Sequence, residues 1–347
     1  MNKKSRIVIC NAQVPFVHGG SEKLVESLHG ELKGRGFNVD VVRIPFKWYP
    51  AERVITECML WRMLDLTESN GKEIDILIAT KFPSTVVKHP NKRIWLVHQF
   101  RQAYDLYGTE IGDLEYSQED RRLRDTIIDI DKKTIPEAKK IYTISKNVSD
   151  RLREFNGIES SPLYPPPSNL GKFYSEDYGD YVLYVGRLDR LKRVDLLIEA
   201  FKETKNGVRC KIAGAGEEKE HIEKLVKEAG LSEKVEVLGY VPDEEVLKLY
   251  ANARAVFYAP YDEDYGYATV EAFLSKRPII TANDSGGVLE FVRDGENGFV
   301  VNPEPTEIAE RIDRLFGSEK DCRKMGRNGY ETVKDISWDR IIENLLG

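Results

Sequence analysis

Short apolar runs rich in β-branched residues alternate along this chain with longer stretches whose apolar positions recur at helical spacing. In the first half, residues 6–10 (RIVIC), 37–42 (FNVDVV), 74–80 (IDILIAT), 93–98 (RIWLVH) and 140–145 (KIYTIS) read as strands. Residues 21–35 and 117–135 read as helices. The pattern then restarts, with strands at 180–187, 208–214, 234–240, 253–259 and 277–281. Helices are expected between them, at 194–204, 217–229, 243–251 and 266–276. Strand and helix alternating at this spacing predict parallel sheets with right-handed crossovers.

Between the two series stand three successive prolines, Pro165 to Pro167, which exclude a helix and stiffen the backbone. A linker is expected at 166–179, between a domain at 1–165 and a second at 180–334. The tail, 335–347, contains a short amphipathic helix at 336–346 (ISWDRIIENLL). The fold class is therefore α/β, two Rossmann-like domains expected to face each other across a cleft. Ligands of open parallel sheets bind beyond the carboxyl ends of the strands.

Composition adds limits. Of 347 residues, 41% are hydrophobic and 32% charged, as in soluble globular proteins. No apolar run approaches the roughly 20 residues that span a bilayer. At the N-terminus, Lys3, Lys4 and Arg6 precede an apolar stretch too short for a secretory signal, so a cytoplasmic location is expected. Cys10, Cys58, Cys210 and Cys322 have no C-x-x-C spacing and read as reduced thiols, with no zinc site. The net charge of −6 divides into +3 over residues 1–165 and −9 over the rest. Without a concentrated basic surface, nucleic acid is not an expected partner. The more basic first half would suit an anionic ligand or membrane surface, or be plain solvated surface.

Several short motifs fall at strand ends. Gly19 and Gly20 precede a helix that Ser21 can cap, and N–H groups at a helix start attract phosphate. Alone, this is also an ordinary glycine turn. The strand 180–187 runs into Gly186 and Arg187, with Lys192 shortly after. Two cations before a helix oppose its dipole unless an anion joins them, and they can neutralise a leaving diphosphate. The segment YDEDYGYATVEA (261–272) places Glu263 in a loop and a helix start near Gly266. The N–H groups of Gly266, Tyr267 and Ala268 could hold phosphate or sugar oxygens. Glu263 could accept from hydroxyls. Glu271, an acid inside an apolar segment, implies a buried partner or a ribose diol. His98 is a structural or a site histidine. Gly286-Gly287 could approach a ligand, whereas Asn297-Gly298 reads as a hairpin turn. The glycines of IAGAGE (212–217) lack the third position of a dinucleotide fingerprint.

In this order, Gly19-Gly20, His98, YVGRL with Lys192, EDYGYATVEA, SGG and DGENGF resemble the retaining glycosyltransferases of the group 1 family, which have the GT-B fold. The resemblance is strong from Asp180 to about Val333, and YTISKNVSDRL (142–152) is also similar. It implies that Arg187 and Lys192 bind the donor diphosphate, that Glu263 meets hydroxyls of the transferred sugar, and that Glu271 holds the ribose. It places the amides from Gly266 to Thr269 along sugar and phosphate, His98 beside the reacting sugar, and Gly19-Gly20 beside phosphate or acceptor. It also implies a last helix that crosses back to the first domain. Lys276 departs from the pattern: the family has glycine there, at a position that needs positive φ. The tract HQFRQAYDLYGTE (98–110) is similar to that of mannosyltransferases of surface-polysaccharide assembly, which leans the donor towards GDP-mannose.

The expected activity is thus transfer of a hexose, with retention, from a GDP- or UDP-sugar to a hydroxyl acceptor, which could be lipid-linked and bring peripheral membrane contact. No cofactor and no metal are expected. Rival readings are a UDP-sugar-dependent transferase, a nucleotide-sugar epimerase and a non-catalytic nucleotide-sugar binder. A metal-dependent site would use D-x-D, and both 129–131 (DID) and 262–264 (DED) satisfy that pattern.

Overall fold

The computed structural model describes residues 5–114, 116–205 and 207–347; Lys3 and Lys4 of the N-terminal basic stretch lie outside them. The chain divides into two compact units, Met1–Ser168 with Ile336–Gly347, and Asn169–Asp335.

The first unit runs β1 (Arg6–Gln13), α1 (Gly20–Gly34), β2 (Asn38–Pro45), α2 (Arg53–Met63), β3 (Glu68–Ser69), β4 (Lys72–Glu73), β5 (Ile76–Ala79), β6 (Lys92–Leu96), α3 (Gln118–Thr134), β7 (Lys140–Thr143), α4 (Lys146–Asn156) and β8 (Ser161–Pro162). Strands β3 and β4 form a small antiparallel hairpin; the others make one parallel sheet, β2-β1-β5-β6-β7-β8. Burial follows position: β5 and β6 are buried at every residue, whereas β2 at the edge alternates exposed and half-buried. Helix α1 buries Leu24, Val25, Leu28 and Leu32, one face at a 3.6-residue period. Helix α4 opens on Ser145, whose Oγ accepts from the Val148 N–H at 3.1 Å, and closes on Gly157 at φ +68°.

The second unit runs β9 (Tyr181–Val185), α5 (Val194–Phe201), β10 (Arg209–Ala213), α6 (Lys219–Glu228), β11 (Val235–Gly239), α7 (Asp243–Asn252), β12 (Ala255–Phe257), α8 (Tyr267–Leu274), β13 (Ile279–Ala282), β14 (Gly298–Val301), α9 (Pro305–Gly317) and α10 (Glu319–Val333). Its six strands are parallel in the order β11-β10-β9-β12-β13-β14. That is the 3-2-1-4-5-6 order of doubly wound nucleotide-binding sheets, and its switch point lies between β9 and β12. The glycines of 212–217 serve packing: a Cβ on Gly214 would come within 1.8 Å of the Gly186 carbonyl, and one on Gly216 within 2.1 Å of that of Leu188.

Two expectations are corrected. Asn297-Gly298 makes no hairpin: Gly298 begins β14, which lies parallel to β13, and the Asn297 side chain donates to the Phe291 carbonyl at 2.9 Å. Residues 299–333, for which the sequence reading assigns no element, continue β14 and form α9 and α10. Helix α10 packs so closely on α8 that a Cβ on Gly329 would come within 2.2 Å of the Phe273 ring.

The last helix, α11 (Trp338–Leu346), belongs to the first unit. Trp338 meets Trp95 of β6 edge to face at 6.2 Å. Lys140 Nζ donates to the carbonyls of Asn344 at 3.1 Å and Gly347 at 2.9 Å, and Arg93 donates to that of Leu345. These cations satisfy carbonyls that a helix C-terminus leaves without partners.

Candidate active site

At the switch point of the second unit, the segments leaving β9 and β12 carry the charges. Beyond β9, Gly186 crowds the Tyr184 hydroxyl, which a Cβ there would approach to 2.8 Å. Arg187 follows, with 51% of its side-chain surface exposed and its Nε donating to Asp189 Oδ2 at 2.8 Å. A single 3-10 turn, Arg190–Lys192, then brings Lys192 inward. Beyond β12, Glu263 takes the Lys192 ammonium in an ion pair whose side chains are only 14% and 19% exposed. Burial alone would lower the Lys192 pKa; the carboxylates of Glu263 and Asp189 outweigh it and hold the ammonium above its ordinary value. The Lys192 ammonium also stands 5.9 Å from the centre of the buried Tyr258 ring.

The Glu263 loop is fixed from both sides. Tyr261 N–H donates to the Leu191 carbonyl at 2.8 Å, and Asp262 N–H to that of Asp284 at 2.9 Å. Gly287 N–H donates to the Glu263 carbonyl at 2.7 Å, and a Cβ there would lie 2.6 Å from the Asp264 carbonyl oxygen. The Gly286-Gly287 pair thus approaches backbone. Arg193, to which the sequence reading gives no role, organises the same region. Its guanidinium forks onto Asp284 at 2.7 and 2.6 Å and donates to the carbonyls of Ala259 and Pro260, both at 2.9 Å. Nothing in the run RLKR marks which cation turns inward, so the signal for Arg193 lies in its partner 91 residues away.

Helix α8 begins on Gly266 at φ +87°, where a Cβ would meet Val288 Cγ2 at 2.7 Å. Only glycine suits that conformation and space. Tyr267 and Ala268 open the first turn, where helix N–H groups lack intrahelical partners. Thr269 is corrected: its N–H donates to the Gly266 carbonyl at 3.0 Å and the residue is fully buried, so its amide is not available to a ligand. Glu271, one turn further, has the expected buried partner: the Tyr250 hydroxyl donates to its Oε2 at 2.9 Å.

In the first unit, the switch point between β1 and β5 is filled from within. Gly19 is the N-cap of α1 and Gly20 its first residue. The Gly19 N–H donates to Glu22 Oε2 at 2.9 Å, and Glu22 Oε1 takes the Lys81 ammonium at 2.8 Å. Burial would raise the Glu22 pKa, but Lys81 and the Gly19 N–H outweigh it and hold it below its ordinary value. The chain's own carboxylate therefore occupies the helix start that the sequence suggests for phosphate. His98 lies two residues beyond β6, half-buried, and its Nδ1 pairs with the Gln99 carbonyl at 2.7 Å. A carbonyl only accepts, so Nδ1 carries the proton.

Of the two D-x-D patterns, 129–131 does not converge: Asp131 is buried while Asp129 is exposed. Among the described residues, no group of three or more His, Cys, Asp or Glu side chains is arranged to hold a metal ion, and no helix is long and apolar enough to cross a membrane.

Residues 172–332 match the family model described as glycosyl transferases group 1. The alpha-1,3/1,6-mannosyltransferase ALG2 of Dictyostelium discoideum is 26% identical over 223 residues, 58% of this chain and 52% of its own length. The chain spans just over half the length of the curated relatives it matches. Among solved structures, sucrose-phosphate synthase of Thermosynechococcus elongatus superposes with a TM-score of 0.80 at 19% identity, over 97% of this chain and 96% of the other. Anabaena HepE, in complex with UDP and glucose, superposes with a TM-score of 0.70 at 16% identity, over 98% and 97%. The fold is GT-B.

Proposed function

We propose, from a C-terminal unit that belongs to the group 1 glycosyltransferases, that this protein transfers a hexose from a nucleotide diphosphate sugar to a hydroxyl acceptor with retention of configuration. The observation that carries this reading is the Lys192–Glu263 pair at the switch point, with Arg187 and the opening turn of α8 on the same carboxyl edge. In the proposed donor complex, the diphosphate takes Lys192 and Arg187, and its oxygens take the N–H groups of Gly266, Tyr267 and Ala268. Lys192 then shifts from carboxylate to phosphate, and Glu263 is released to accept from sugar hydroxyls. Glu271, already poised by Tyr250, is assigned to the ribose diol, and His98 to the reacting sugar.

The chemical task is to stabilise charge on a departing diphosphate while an oxocarbenium-like centre develops. Preorganised cations and helix N–H groups do this without reorganisation at the moment of reaction. In front-face attack, the leaving phosphate takes the acceptor's proton, so no glycosidase-type pair of carboxylates is required. We assign the donor to GDP-mannose on the 98–110 tract and the ALG2 similarity, with surface polysaccharide or glycolipid as the product class. The UDP in the HepE structure favours the second reading, a UDP-sugar donor. A lipid-linked acceptor would place the enzyme at the inner face of the membrane.

Incubation with GDP-mannose or UDP-glucose and glycoside acceptors, followed by NMR of the products, tests the reaction. A new α-linked glycoside is expected, with turnover about 10²–10³ lower in Arg187→Ala and in Lys192→Ala. An epimerised nucleotide sugar without a glycosidic bond would assign the site to an epimerase, and inversion at the anomeric carbon would remove the front-face mechanism.

A further inference from the structure

The carboxyl edge of the first sheet carries a cluster of aromatic side chains that the reading above leaves unused. Beyond β2, Phe46 packs against Trp48, Phe82 and Phe100, each at 6.2 Å between ring centres. Phe82 follows β5, Phe100 follows β6, and these two rings lie 5.6 Å apart. Phe82 N–H donates to the His98 carbonyl at 3.4 Å, so the cluster is continuous with the His98 segment. Phe82 and Phe100 are buried and form its floor. Phe46 and Trp48 are half-buried, and Tyr49, edge-on to Trp48 at 5.4 Å, is 59% exposed.

Polar groups rim the open side. Trp48 Nε1 donates to Oδ2 of the exposed Asp113 at 3.1 Å, and the Asp113 N–H donates to Gln102 Oε1 at 2.6 Å. The Lys47 ammonium stands 4.6 Å from the Tyr49 ring centre. The indole is thus held by a hydrogen bond at its edge and by Phe46 across its face. A carboxylate has about four lone-pair sites, and one indole N–H uses one of them.

We propose that Trp48, Tyr49 and Asp113 form a carbohydrate-binding subsite, and that the acceptor is a sugar. The inference rests on the transferase reading and names the acceptor class for it. A pyranose has an apolar C–H face and a rim of hydroxyls. An aromatic wall covers the first, while a fixed carboxylate accepts from two vicinal hydroxyls of the second. An acyl chain would instead bury the charges of Asp113 and Lys47 beside hydrocarbon, a cost that one indole N–H and one ring contact do not offset. An inorganic or phosphomonoester anion would meet the Asp113 carboxylate.

Saturation-transfer NMR on the full chain tests this with four probes: methyl α-D-mannopyranoside, methyl α-D-glucopyranoside, inorganic phosphate observed by ³¹P broadening, and vesicles of phosphatidylcholine with phosphatidylglycerol scored by co-sedimentation. Saturation of the ring protons of at least one glycoside is expected, weakened at least tenfold in Asp113→Asn and in Tyr49→Ala. Trp48 supplies a second readout, because Trp61, Trp95 and Trp338 are buried: the glycoside should shield tryptophan emission from iodide quenching. The melting shift given by nucleotide sugars should be unchanged in both variants. Glycoside binding that survives both substitutions, no glycoside binding at all, or binding of phosphate or vesicles in its place would each overturn the subsite. Donor binding without glycoside binding removes the subsite alone; glycoside binding without donor binding removes the transferase reading alone.

Discussion

Among single residues, Asp131 shows how burial sets chemistry that a sequence conceals. It lies on α3, amid lysines, arginines and other acids, and the sequence offers for it only the D-x-D pattern at 129–131. In the structure it is 1% exposed, its Oδ2 accepts from the Tyr104 hydroxyl at 2.7 Å, and burial pushes its pKa up to about 7 against the hydrogen bonds that favour the anion. The buried Cys58 thiol also faces it, and Tyr104 in turn accepts from Asn156 at 3.3 Å. A carboxyl with a raised folded-state pKa holds its proton longer in the native than in the unfolded chain. Its contribution to stability is then fully present below the ordinary carboxyl range and is lost as pH rises from there through about 7. Denaturant titrations at several pH values should show this fall in the wild type and a flatter profile in Asp131→Asn; parallel profiles would place the titration elsewhere. The same limit applies to Arg193 and to the Glu22–Lys81 pair. Each is defined by a partner remote in sequence, and charge alone does not distinguish them from their neighbours.

Elements were more legible than residues, because periodicity reports the face an element buries. The alternation of strands and helices predicts both parallel sheets, and the apolar runs at 180–187 and 253–259 become the two strands that flank the switch point. His98 moves from strand to loop because β6 ends at Leu96. The hairpin at Asn297-Gly298 fails because an Asn-Gly pair fixes a turn without fixing which strand the chain then joins. Lys276 illustrates the opposite case, where a local rule is legible and the structure keeps the strain. It ends the turn after α8 at φ +55°, held by the Tyr178 hydroxyl on its carbonyl at 2.6 Å and with its ammonium 5.2 Å from the Tyr330 ring centre. A left-handed non-glycine residue costs roughly 1–2 kcal/mol. Lys276→Gly, which gives up the ring contact and adds unfolded-state freedom, should still stabilise the protein by about 0.5–1 kcal/mol in urea titration. Destabilisation would mean that the contact with Tyr330 outweighs the backbone strain.

For the whole molecule, both sheets direct their candidate chemistry to carboxyl edges, but the two units use those edges differently. The first fills its α1 start with Glu22 and Lys81 and presents aromatic side chains beyond β2, β5 and β6. The second opens α8 on Gly266 with no acidic residue in its first turn, and carries Arg187 and the Lys192–Glu263 pair on the same carboxyl edge. This contrast supports assigning the anionic donor to the second unit and a neutral acceptor to the first. The central claim is that Lys192 and its neighbours hold a nucleotide diphosphate sugar, and ligand-dependent unfolding of the full chain measures it most directly. A donor at about 100 times its Kd should stabilise the wild type by roughly 2.7 kcal/mol. GDP-mannose or a UDP-sugar should give this shift, and Lys192→Ala should abolish most of it at the same concentration. An undiminished shift in Lys192→Ala, or none in the wild type with any UDP-, GDP- or ADP-sugar, would contradict the account.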